Sequence, residues 1–113
     1  MLNTVNTALT ALRAFDRKSE VIANNIANVN TDGFRKSRAV LEEESPAGVQ
    51  VTVERMNTPE DTVTLAEAET APSNVNLDEE LIAFIINRHS YAANIETVRA
   101  ADEMQGILFD ILR

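Results

Sequence analysis

The sequence contains no cysteine and no tryptophan, a single histidine, three glycines and three prolines in 113 residues. Without cysteine, the chain forms no disulfide, thiolate metal site or cysteine nucleophile. His89 stands alone, so a metal site would need carboxylates brought in from elsewhere, and a surface or interface position fits this residue better. Three glycines are too few for a phosphate-cradling loop, and the serines lack a glycine elbow. The acidic runs Glu42 to Glu44 and Asp78 to Glu80 read as a solvated strand flank and a helix N-terminus. No catalytic residue, cofactor or metal is therefore expected, and the chain reads as a non-enzyme.

Long apolar runs are also missing. None approaches the roughly 20 residues of a membrane span, so no direct membrane insertion is expected. Met1 to Asn30 lacks the basic start and compact apolar core of a secretory signal, and any export is expected to use another route. Net charge is −8, divided as +1 in residues 1–30, −5 in 31–76 and −4 in 77–113. Phosphate binding needs a basic face, and the only candidate is Arg35, Lys36 and Arg38, read as a solvated segment balanced by Glu42, Glu43 and Glu44. Nucleic acid is excluded as a partner on this ground. The acidic surface would keep a self-associating chain soluble.

What the sequence does hold is aliphatic. It is 44% hydrophobic but 4% aromatic, which places Ala, Leu, Ile and Val on helices and gives one domain's worth of core. Leu2, Val5, Leu9, Leu12, Phe15, Ile22, Ile26 and Val29 recur in steps of three and four, with Ser19 in the one gap. A helix from Leu2 to Val29 would be about 42 Å long. Leu77, Leu81, Phe84, Tyr91, Ile95, Val98, Ala101, Met104, Leu108 and Ile111 form a second stripe, interrupted at Arg88. Asn76 is a suitable N-cap, Glu79 sits as in a capping box, and Asp78 to Glu80 oppose the helix dipole. This second helix, to Leu112, would be about 54 Å long.

Between the helices the period changes. Thr31-Asp32-Gly33 signals a turn, and Val49, Val51 and Val53 alternate with polar residues as in a half-buried strand. Thr62 to Leu65 repeats that alternation, with a loop at Asn57 to Asp61 and a closing segment at Ala71 to Asn74. The expected fold is mainly α with a small β element: two long terminal helices pair antiparallel as a coiled coil, with a short β-hairpin between them. Residues 1–30, 31–76 and 77–113 are the three parts. One neighbour cannot cover both stripes, because Ile82, Ile85 and Ile86 widen the second. Further copies of the chain are the natural cover.

Val21-Ile22-Ala23-Asn24-Asn25-Ile26-Ala27-Asn28-Val29-Asn30-Thr31-Asp32-Gly33-Phe34 resembles the N-terminal signature of the flagellar rod and hook axial proteins. Ser73 to Leu81, Tyr91-Ala92-Ala93-Asn94 and Ala101-Asp102-Glu103-Met104 resemble that family's C-terminal signature. The resemblance covers about two thirds of the chain and omits the middle. It implies a structural rod subunit that self-assembles through helices lining the axial core, is needed for motility, and faces outward with its middle segment. Implied partners are further copies, other rod and hook proteins and the flagellar type III export apparatus, with a place in the basal-body rod that crosses the periplasm. In length the chain is nearest the proximal rod subunits, while its terminal motifs are more like those of the distal rod and hook.

The expected subunit interface comprises Leu2, Val5, Leu9, Leu12, Asn24, Asn25, Ile26 and Asn28 with Leu81, Phe84, Tyr91, Asn94, Ile95, Val98, Met104 and Leu108. Asparagines are poor inside helices and suit a helix end that meets neighbours. Phe34 and Tyr91 read as packing anchors. The competing reading is a discrete coiled-coil oligomer acting as an adaptor or regulator.

Overall fold

The computed structural model describes residues 2–57 and 65–113. Helix α1 spans Leu2–Ala27, strand β1 Ser37–Glu43, strand β2 Val49–Arg55, helix α2 Leu65–Thr70 and helix α3 Leu77–Ile111. The order α1, hairpin, α3 follows the sequence pattern. Asn76 caps α3 as expected, its side chain accepting from the Asp78 amide at 3.1 Å. The Glu79 carboxylate lies 3.5 Å from Lys36 Nζ. At the other end of α1 the Asn28 amide group donates to Asn24 O at 2.9 Å and closes the last turn.

The hairpin differs from expectation. β2 contains Val49, Val51 and Val53, but its partner is β1, antiparallel with Ser37 opposite Arg55 and Glu43 opposite Val49. Leu65, assigned to a strand on its alternation with threonine, begins α2 instead. Thr62, Val63 and Thr64, and Thr58 to Asp61 of the expected loop, lie outside the described residues. The basic cluster is not a free solvated segment. Arg38 pairs across the strands with Glu54 at 3.6 Å, and Arg35 is buried and donates to the carbonyls of Phe34 and Pro72. Arg38 is met by cross-strand pairing, Lys36 by Glu79 of α3 and Arg35 by main-chain carbonyls, rather than by balance along the chain.

α1 and α3 run antiparallel along their lengths. Asn25 meets Glu80, Ser19 meets Asn87 and Ala8 meets Asn94, so α1 numbers fall as α3 numbers rise. The hairpin leans on α1, where Thr10 Oγ1 donates to Thr7 O at 2.7 Å and accepts from the Val49 amide at 3.1 Å.

A clasp joins the two crossings between the helices and the middle. The Gly33 amide donates to Ala71 O at 2.6 Å, the Lys36 amide to Asn74 Oδ1 at 2.7 Å, and Asn74 Nδ2 to Met56 O at 2.9 Å. Gly33 has φ +75°, and a Cβ there would stand 2.8 Å from Glu69 O, so the turn expected at Thr31-Asp32-Gly33 is present and glycine occupies it without strain.

The result is a plank of 71 × 27 × 14 Å. Its radius of gyration is 19.4 Å, against about 13 Å for a compact domain of this length. It exposes 8176 Å², where a compact monomer of this mass would expose about 6,100 Å². Exposed helix side chains such as Leu2, Ile82, Ile85, Ile86 and Ile107 contribute to the excess.

Candidate functional site

On the α3 side, the seam between α1 and α3 is made of small and polar residues. On α1 the buried positions are Ala8, Ala14, Val21, Ile22 and Asn25, and on α3 they are Glu80, Asn87 and Ala101. Asn87 is 2% exposed; its Nδ2 donates to Phe15 O at 2.9 Å and to Ser19 Oγ at 2.7 Å. Asn94 Nδ2 donates to Ala8 O at 2.7 Å.

The apolar stripes therefore meet only in part: Ile22 and Ala101 are buried, while Leu81, Phe84, Ile95, Met104 and Leu108 stay exposed. Leu81 follows Glu80 by one residue, about 100° around the helix, so the row that packs on α1 is displaced from the row of highest hydropathy. On α3 the bulkier side chains Leu81, Ile82, Phe84, Ile85 and Ile86 stay exposed on the flanks and the far side.

Of the expected interface, Leu2, Leu9, Leu81, Phe84, Ile95, Met104 and Leu108 are exposed. Val5, Leu12, Ile26, Asn28, Tyr91, Asn94 and Val98 are half-buried, and Asn24 is exposed. Asn25 is placed differently: at 1% exposed it bonds to Ser37 and Glu80 within the chain. Leu2 and Leu108 come together with Phe109 and Leu112 around an open apolar cleft of about 490 Å³ at the far end of the helix pair.

The broadest apolar face lies away from α1. Ile82, Ile85 and Ile86 are all more than half exposed, as are Ile107 and Phe109 near the C-terminal end of α3, where Phe109 borders the cleft beside Leu2. Ile107 and Phe109 were missed because they lie off the stripe selected by steps of three and four. Asn87 was missed because apolar periodicity does not register a polar residue that is buried.

Among the described residues, no group of three or more His, Asp or Glu side chains is placed to hold a metal, and no helix is long and apolar enough to cross a membrane. The geometry offers long contact faces, and comparison with known proteins assigns them to a family. The flagella basal body rod protein model matches residues 5–35, which are α1 and its following turn. The model of the flagellar basal body rod FlgEFG protein C-terminal region matches residues 72–111, which are the clasp exit and α3. The chain belongs to the flagellar basal-body rod protein family.

This is a family of structural rod proteins and not of enzymes. A curated relative, flagellar basal-body rod protein FlgG of Bacillus subtilis (strain 168), is 44% identical over 43 residues. That stretch covers 38% of this chain and 16% of the relative's length. Both family matches fall on the helix pair, and the hairpin lies between them.

Proposed function

We propose that this chain is a self-assembling subunit of the flagellar basal-body rod, needed for motility. In this reading α1 and α3, within residues 1–30 and 77–113, make the subunit contacts, and residues 31–76 face outward. The observation that carries it is the apolar face of α3 at Ile82, Ile85 and Ile86, left uncovered by the chain's own fold. Covering these half-exposed side chains is worth roughly 1 kcal/mol apiece. Repeated along an elongated subunit, such contacts need not close on themselves and can propagate as a rod.

Coiled-coil packing belongs to the same proposal, with stripe residues Leu9, Leu81, Phe84, Ile95, Met104 and Leu108 meeting helices of neighbouring subunits. Val5, Leu12, Ile26, Tyr91 and Val98 support these contacts from the half-buried flanks. The partners are further copies, other rod and hook proteins and the type III export apparatus, which would carry the chain outward.

The test combines size measurement of the purified chain across concentration with incorporation of truncated chains into basal bodies. Growth into rods or sheets, and loss of incorporation without residues 1–30, are the expected results. A fixed small oligomer would support the adaptor reading, and incorporation without residues 1–30 would refute the assembly role of α1.

A further inference from the structure

Glu80, Asn87, Asn94 and Ala101 recur every seven residues along α3, a row that drifts only about 20° per step around the helix. The two central members are asparagines whose amides reach main-chain carbonyls of α1, Asn87 to Phe15 O and Asn94 to Ala8 O. Those acceptors are also seven residues apart, so the bonds form a ladder that fits one rotation and one register of the helices. The ladder is not there for burial alone. Among the described residues Asn87 Oδ1 is buried with no hydrogen-bond partner, and on α3 the large apolar side chains Leu81, Ile82, Phe84, Ile85 and Ile86 stay exposed while the buried positions are Glu80, Asn87 and Ala101.

We infer that Asn87 and Asn94 are specificity-determining residues that set which face of α3 turns outward, and so reserve the apolar face for a second copy of this chain. The assignment of the second copy rests on the assembly reading above. A helix with apolar residues on two sides has two ways to sit on a neighbour. If α3 rolled by somewhat less than one residue's 100°, Leu81, Phe84 and Ile95 would meet α1 and the chain would cover part of its own assembly surface. A polar group at one core position is known to fix register at some cost in stability, and two asparagines one heptad apart do so twice. Their amides have directional partners in only one of the two arrangements. The neighbouring bond from Asn25 to Glu80 holds the start of α3 in the same rotation.

The chain has no cysteine, so single introduced thiols report rotation without interference. Ala101 is 2% exposed and Leu81 is 45% exposed, on opposite sides of the proposed roll. Ala101→Cys and Leu81→Cys are each placed in the wild-type chain and in the Asn87→Ala, Asn94→Ala chain, and labelled at a dilution where the chain is monomeric. Helix content is followed in parallel. With both asparagines removed, labelling at 101 is expected to speed up by about fivefold or more, and labelling at 81 to slow by about threefold or more. Rod formation should fall with them.

Two asparagines that merely stabilise the pair would, on removal, speed labelling at both positions, and that result overturns the inference, as do unchanged rates at both. If the double variant loses helix content, the two single variants are read by the same opposite-direction criterion. Labelling is independent of assembly, so failure of the wild-type chain to form rods counts against the assembly reading while the rates still decide the role of the asparagines.

Discussion

Asn25 and Ser37 bond to each other in both directions: Asn25 Nδ2 donates to Ser37 O at 2.8 Å, and the Ser37 amide donates back to Asn25 Oδ1 at 3.0 Å. A side-chain amide thus stands in for a neighbouring strand at the first residue of β1. The same Nδ2 reaches Glu80 Oε2 at 3.2 Å, so α1, β1 and α3 meet on one side chain.

Asn25→Ala should destabilise the chain by about 2 kcal/mol or more, because partners in a closed site lose their bonds together. Asn25→Asp should cost more, since it removes the donor and sets a carboxylate beside Glu80. Urea unfolding followed by far-UV circular dichroism checks both, and an Asn25→Asp chain as stable as wild type would refute the account.

The glycines at 33 and 106 should respond in opposite senses. Gly33→Ala meets positive φ and the Glu69 carbonyl and should cost about 1–2 kcal/mol. Gly106 sits inside α3 with nothing within 4 Å of an added Cβ, so Gly106→Ala should gain about 0.5–1 kcal/mol. Melting temperatures of the two variants decide the sign of each.

Ile82→Glu together with Ile86→Lys replaces two exposed apolar residues by a pair at the favourable i, i+4 spacing. Monomer stability should stay within about 0.5 kcal/mol of wild type, while self-association weakens. Sedimentation over a concentration series measures the second, and undiminished association would show that this face is not the contact.

Thr10→Val keeps the shape of the side chain but removes the hydroxyl that joins α1 to the hairpin. The cost should be about 1 kcal/mol, with faster hydrogen exchange at the Val49 amide than in wild type. Unchanged exchange there would mean that the hairpin is held by other contacts.

Local features were legible in the sequence. The extents of α1 and α3, the Asn76 cap and the turn at Gly33 depend on residues within a few positions of one another. β1 was not, because Arg38-Ala39-Val40-Leu41-Glu42 has no period of two and its pairing with β2 is a choice between distant segments. The alternation around Val49 marks β2 but carries no information about which distant segment pairs with it. Most exposed apolar residues of the two helices are legible as apolar stripes. The inner seam is not, because hydropathy alone does not reveal that Asn87 lies inward while Ile86, one residue before it, lies outward.

The clasp at Gly33 and Ala71 carries a consequence for how such a chain can change over time. The polypeptide leaves the helical plank and returns to it at adjoining points, bridged by the 2.6 Å bond from Gly33 to Ala71 and by the bonds of Asn74 to Lys36 and Met56. Whatever is held between those points hangs from a closed loop, and doubling its length adds only about 0.6 kcal/mol of closure entropy. The middle behaves as an exchangeable cartridge: grafting a larger folded unit between β1 and β2 should leave the α1–α3 pairing in place, as amide exchange on the two helices would reveal.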